Sequence, residues 1–450
     1  MQLKIYRSAT VGIITDNFKM LADPWLVDGE YYGSWSHYPY FDLDKNIDEI
    51  NSYNAIYISH IHPDHCSEKT LKKIKKNIPI YIHKFHAPFL KKKIENLGFK
   101  VFEIPNGVRT KLANNFFLNI FAADDCDPQL CYKFTGCANF NKSAGSQQID
   151  TLSVVDDGLT NILNINDCPY DLSKNLLPKI LGEYQKINIL MLGYGGAGPY
   201  PQCYDNLDLK KKKKEAKKKE LTFLKMAFNF INDLKPDYYL PFAGTYVLSG
   251  NLHKLNKLKG VPTKSNTYKF IENELNSFSN SYRSKPLKMN YEEIFDINKN
   301  KKIIKTILNE KGLDKYIKKN LSLKKLDYEE EIFPSFEEIY DLCDKSVINY
   351  KRQLAANSCT HNTNIYVKIF DKYIKVPYNK DSISIEKKIN NFTDSKFLIY
   401  NLDSRLLKNI LKGPRFAHWN NAEVGSHIKF YRSSDVYERS VYWSMSYFHA

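Results

Sequence analysis

No C-x-x-C pair occurs in this chain of 450 residues, although it holds eight cysteines. Its cysteines therefore read as reduced and buried, not as a thiol metal site. The cluster Cys126, Cys131 and Cys137, even with Cys168 added, matches no zinc or iron–sulfur spacing. No stretch approaches the roughly 20 apolar residues that span a bilayer. The N-terminus, Met1-Gln2-Leu3-Lys4-Ile5-Tyr6-Arg7, lacks the uninterrupted apolar core of a signal peptide. A cytoplasmic protein without a transmembrane segment is the expectation. Acidic charge is in deficit, and the formal net charge is +16. The lysines are spread along the chain beside much Asn, Ile and Tyr, a bias that an AT-rich genome produces by itself. An anionic small substrate or surface also fits, and nucleic acid is set aside as a partner.

What is present is a well-packed composition, with 43% hydrophobic and 14% aromatic residues. That length exceeds one typical core, so a large domain plus a smaller one is expected. The most informative segment is His60-Ile61-His62-Pro63-Asp64-His65. A buried-strand pattern, Ala55-Ile56-Tyr57-Ile58-Ser59, precedes it. Ser67 follows, placed to cap a helix through Leu71 and Ile74. Imidazoles and a carboxylate so arranged suit borderline or hard divalent metals.

This H-x-H-x-D-H run resembles the signature of the metallo-β-lactamase superfamily. The resemblance implies an α/β chain with a four-layer αβ/βα sandwich and a metal centre at one edge. It implies one or two divalent ions, zinc or iron with manganese as a further candidate, held by His60, His62, Asp64 and His65. It also implies that Asp23, in Ala22-Asp23-Pro24-Trp25, orients the metal-binding loop from behind. The strand-like run Ile162–Ile165 ends in Asn166-Asp167-Cys168, and the resemblance makes Asp167 a further, bridging ligand.

The chain also departs from that pattern. Residues 116–150 contain no His and offer Asp124, Asp125 and Asp127 instead. Asp125 is taken as a candidate ligand and, with Asp64, as a candidate proton carrier. Where a last His is implied, in Tyr238–Tyr246, the chain has Ala243, and the nearest His downstream is His253, a substitute candidate. An oxygen-richer site shifts preference from zinc toward iron or manganese.

Around this centre, strand and helix patterns alternate, with strands at Phe116–Phe121, Leu152–Val155 and Ile189–Leu192. Phe89 to Leu97 reads as a helix that Gly98 ends. His83 and His86 read as surface residues. The aromatic loop 30–41 is expected near the site. In the loop Gly193–Tyr200, Gly195, Gly196 and Tyr200 are candidates for a substrate wall. Residues 209–220 hold eight lysines and read as the solvated start of a helix.

Composition divides the chain into residues 1–285, the metal-binding sandwich; 286–362, a helical connection; and 363–450, a small α+β domain. The last resembles sterol-carrier-like domains. Ala22-Asp23-Pro24-Trp25, the His run, Asn166-Asp167-Cys168 and this C-terminal part together resemble the metallo-β-lactamase-like region of CMP-N-acetylneuraminate hydroxylases. Those enzymes add a Rieske domain, whose cluster needs a C-x-H together with a C-x-x-H pair. The two motifs do not occur together here, and a separate electron-transfer partner is implied for any oxygenase activity. The leading expectation is a metal-dependent hydrolase using metal-activated water on a polar, anionic small molecule such as a sugar nucleotide. The alternative is an iron-dependent oxygenase component acting on a nucleotide sugar.

Overall fold

The computed structural model describes residues 1–122, 150–277, 284–304, 312–356, 359–378, 382–386, 396–433 and 438–450. Two large sheets dominate it. The first has eight strands, in spatial order Lys301–Ile304, Ile294–Asp296, Gln2–Arg7, Thr10–Ile14, Lys19–Ala22, Ala55–Tyr57, Ile80–His83 and Val101–Ile104. Its N-terminal meander is antiparallel, and the last four strands run parallel. The second has seven strands, Lys285–Pro286, Tyr238–Pro241, Ile189–Leu192, Asn161–Asn164, Thr151–Asp156, Phe116–Ala122 and Thr110–Ala113.

Side-chain alternation along these strands explains the layering. Met20, Ala22, Ala55 and Tyr57 point inward and pack on Phe116, Leu118, Ile120, Val155, Ile162 and Met191 of the other sheet. Their neighbours Leu21, Ile56, Ile80 and Ile82 point outward against Leu43, Ile50, Leu90 and Ile94. Those four lie on the helices Leu43–Ile50 and Phe89–Glu95. On the far side, Leu152, Val154, Leu163 and Leu190 meet Ile180, Ala227, Phe230 and Ile231. Both faces of each central strand are covered, so the strands read as near-continuous apolar runs. The result is helix, sheet, sheet, helix: the four-layer sandwich expected above.

Two boundaries differ from the sequence reading. Ile294–Asp296 and Lys301–Ile304 complete the first sheet, with Lys4 opposite Ile294, so the sandwich continues past residue 285. The helical connection is mainly the long helix Phe336–Ala356. Beyond it lies a five-stranded sheet, in order Ser384–Glu386, Lys372–Val376, Asn364–Ile369, Phe397–Asn401 and Lys429–Arg432.

This C-terminal part is not an appendage. Cys203, Tyr204 and Leu207, from a sandwich loop, share its hydrophobic core with Tyr400, Trp419 and Phe430. The Phe430 N–H donates to the Cys203 carbonyl at 2.8 Å, and the Asp205 N–H donates to the Phe430 carbonyl at 2.7 Å. The loop thus pairs with an edge that would otherwise be open. Among the described residues, no helix is long and apolar enough to cross a membrane.

Candidate metal centre

The first sheet delivers the histidines. The strand Ala55–Tyr57 ends, and the chain turns tightly at His60–His65. Bonds from the His65 and Cys66 N–H groups to the His62 carbonyl, at 3.0 and 2.8 Å, close the turn. Ser67 then caps the short helix Glu68–Leu71, accepting from the Thr70 N–H at 3.0 Å. Behind the turn lies Asp23, fully buried, with φ of 47°. Its carboxylate accepts from the Ser59 N–H at 2.7 Å and the Ser59 hydroxyl at 2.8 Å. It also lies 2.9 Å from His65 Nδ1. That contact fixes the imidazole and leaves its Nε2 to face the site, as an orienting carboxylate does.

The second sheet delivers the carboxylates. The Thr151 hydroxyl donates to the Ser59 carbonyl at 3.0 Å, joining the two sheets one residue before His60. Asp150, preceding Thr151, therefore comes to 3.6 Å from His60 Nε2 through its Oδ1. Asn166, with φ of 47°, donates through Nδ2 to the Thr151 carbonyl at 2.9 Å. This turn presents Asp167, whose Oδ2 is 3.4 Å from His65 Nε2. Gly193 is required beneath it, because a Cβ there would stand 2.9 Å from the Asn166 carbonyl oxygen.

Two trios result: His60, His62 and Asp150, and His60, His65 and Asp167. In each, one ligand atom per residue lies within 4.8 Å of the others. Asp64 stands beside them, with Oδ2 3.6 Å from His65 Nε2. Its Oδ1 accepts from the Tyr31 hydroxyl at 2.5 Å. Burial and the neighbouring imidazoles hold His60 well below the usual histidine range, as a neutral ligand requires. Burial also lowers His65, but Asp167, Asp23 and Asp64 outweigh it and raise that group. Burial, with Asp167 nearby, pushes Asp150 up to about 7. Asp150 Oδ1 is buried and has no hydrogen-bond partner. A buried carboxylate without a donor is costly unless a cation neutralises it. The donor set therefore fits one or two divalent metal ions.

Aromatic residues close the site on one side, within the aromatic loop 30–41. Tyr31 packs on Trp35 at 4.5 Å between ring centroids, and Trp35 stacks on Tyr246 at 3.6 Å. The C-terminal part supports this wall. His427 Nε2 lies 2.7 Å from the Tyr31 carbonyl, and its Nδ1 lies 3.1 Å from the Tyr328 hydroxyl.

Several expected residues lie elsewhere. Asp125 falls outside the described residues, as do Asp124, Asp127, Cys126, Cys131 and Cys137. His253 joins neither trio; its Nδ1 faces the Gly250 carbonyl at 2.8 Å, within a 3-10 helix. Gly196 packs against a helix, since a Cβ there would stand 1.9 Å from Phe223 Cζ. Gly195 is held close to Val261 and Gly244 by the same reasoning. Tyr200 donates to Glu215 at 2.9 Å and packs on Tyr204. His86 is exposed as expected, but His83 is buried against Phe85. In the lysine-rich helix start, Lys219 is half-buried and folds back on the Gly-rich loop: its ammonium donates to the Ala197 and Tyr200 carbonyls at 3.3 and 3.1 Å. The single C-x-H run, Cys359-Thr360-His361, serves packing, with Cys359 buried and His361 Nε2 2.9 Å from the Tyr350 hydroxyl. Asp150 is the residue that sequence reasoning missed. Its signal was its position, directly ahead of the Leu152–Val155 strand and inside the interval lacking His.

No family model matches the chain. It is 29% identical over 210 residues to a protein of Mycobacterium tuberculosis named as a Rieske 2Fe-2S iron-sulfur protein, covering 46% of this chain and 36% of that one. It is 26% identical over 261 residues to the cytidine monophosphate-N-acetylneuraminic acid hydroxylase of Xenopus laevis, covering 55% and 38%. The chain thus spans about a third to a half of the length of the curated relatives it matches. A solved structure from Veillonella parvula, described as a possible metal-dependent hydrolase, aligns with a TM-score of 0.45 at 15% identity, covering 66% of this chain and 98% of that one. The chain is thus a four-layer αβ/βα sandwich with His and Asp groups that could hold metal, and over about half its length its sequence is similar to proteins named as a hydroxylase and a Rieske protein.

Proposed function

We propose that this protein is an iron-dependent hydroxylase component that acts on an anionic small molecule of the sugar-nucleotide class. Electrons come from a separate protein. The observation that carries the reading is the pair of two-His, one-carboxylate trios, with Asp150 supplying a carboxylate in an interval that lacks His. Two imidazoles and one carboxylate with open positions suit non-haem iron. The similarity to proteins named as hydroxylase and Rieske protein supports the same choice.

The chain's own residues would divide the work. His60, His62 and Asp150 would hold one ion and His65 with Asp167 a second, or His60, His65 and Asp167 would together hold a single ion. Iron bound there supplies oxidation chemistry when reductant is delivered. Asp23 holds His65 in one orientation. Asp64, held by Tyr31, is placed to carry a proton beside the centre. The buried aromatic wall of Tyr31, Trp35 and Tyr246 keeps water from that side.

The test is oxygen uptake by iron-loaded protein with a sugar nucleotide and a chemical reductant. Uptake that needs both, with a hydroxylated product, is expected. Turnover of phosphodiester or ester substrates without reductant, and no oxygen uptake, would instead establish a hydrolase with metal-activated water.

A further inference from the structure

A second concave site lies beside this centre. It is a cavity of about 480 Å³, within the range usual for small-molecule sites. Its walls carry the rings of Tyr38, Tyr194, Tyr246 and Tyr291 with Val261, and none of the candidate metal ligands. Two lysines, Lys259 and Lys264, line it, and no Asp or Glu does. The Lys264 ammonium donates to the Met289 carbonyl at 2.7 Å. The Lys259 ammonium donates to the Tyr246 carbonyl and lies 4.1 Å from the centroid of the Tyr246 ring. Burial, with Lys219 nearby, pushes Lys259 down to about 7. A buried ammonium such as Lys259, which meets a carbonyl and a ring, is costly to the free protein. An arriving anion would compensate it.

The chemistry of the walls narrows the ligand. Tyrosine rings and Val261 favour a flat, partly apolar body, since a π-face stacks on any ring. Thr245, Thr263 and Asn290 add hydroxyl and amide groups, as a sugar or base edge requires. The Tyr246 ring also links the cavity to the metal centre, because it stacks on Trp35, which packs on Tyr31, which bonds Asp64. We propose that this cavity binds a flat ring bearing an anionic group, of the nucleoside monophosphate class, with Lys259 as the anion contact. The link to a substrate rests on the proposed function above; the binding itself does not.

Calorimetric titration of the full chain, stripped of metal, tests it. The probes are cytidine and uridine monophosphates, inorganic phosphate and uncharged cytidine. We expect a monophosphate to bind at least tenfold more tightly than phosphate or cytidine. Lys259→Met should weaken the monophosphate at least tenfold, leave cytidine unchanged and keep or raise the melting temperature. Val261→Trp, which fills the cavity, should abolish binding of both. The proposal is overturned by phosphate binding as well as the monophosphate, by Lys259→Met leaving affinity unchanged, or by Lys259→Met lowering the melting temperature. A sugar nucleotide that displaces the monophosphate identifies a substrate site, and one that does not identifies a site for free nucleotide. Because metal is absent throughout, failure here is separable from failure of the iron reading.

Discussion

Two carboxylates decide the site, and they act differently. Asp23 touches His65 and Ser59 and works through them. Replacing it by Asn should lower metal affinity 10- to 100-fold, the usual effect of losing such a partner. Competition against a chelator measures this, with circular dichroism to confirm the fold. Asp150 faces the centre with a buried oxygen that has no donor. Its carboxyl is raised from 3.8 to about 7, so the metal-free protein loses stability as pH rises through that interval. Asp150→Asn should therefore raise metal-free stability at pH 8 by on the order of 4 kcal/mol. It should have no effect near pH 4, and it should weaken metal binding. Denaturant titrations at both pH values test the sign. The sequence offers His60, His62, His65 and Asp167 as candidate donors because each follows a recognisable strand within a short turn. Asp150 was obscured by the conspicuous Asp124, Asp125 and Asp127. Its place depends on Thr151 reaching Ser59 across the two sheets, a contact that no local pattern encodes.

Among the elements, the legible ones are those with a strong local rule. Ile189–Leu192 is apolar on both faces and was readable to the residue. Gly98, with φ of 89°, follows the helix Phe89–Glu95 as a left-handed stop should. The strands Ile294–Asp296 and Lys301–Ile304 were read as helical because Lys and Glu surround them. They lie at the open edge of the first sheet, where charge deters further pairing. The Gly-rich loop illustrates the opposite error. Gly196 suggested a ligand approach, yet Phe223 of the helix Leu209–Leu234 occupies the space a Cβ would need. Gly196→Ala should cost roughly 1–3 kcal/mol of stability. Adding Phe223→Leu should recover part of that loss. Denaturant unfolding of the two single variants and the double variant checks the coupling.

At the scale of the molecule, the sandwich and the C-terminal part form one interlocked structure around the site. Their junction passes through His427, which is 6% exposed and bonded to Tyr31 and Tyr328. Burial pushes His427 from 6.5 down to about 4. The unfolded chain therefore takes up this proton first, and stability falls as pH drops from about 6.5 to 4. The loss from this residue should approach about 3 kcal/mol, and His427→Gln should remove it. Urea titrations at pH 7 and pH 4.5 measure the difference. The four-layer architecture was legible through the family resemblance that the His run carries, and the alternation of strands and helices agreed with αβ layers. The joining of the two parts was not, since Cys203 and Phe430 meet across more than half of the chain. The central claim is that this fold carries an iron centre built on two histidines and a carboxylate. Elemental analysis of the wild type and of Asp150→Ala, purified without added metal, tests it most directly. Iron in the wild type, at one or two ions per chain and largely lost from the variant, is the predicted result. Stoichiometric zinc in both proteins would contradict it.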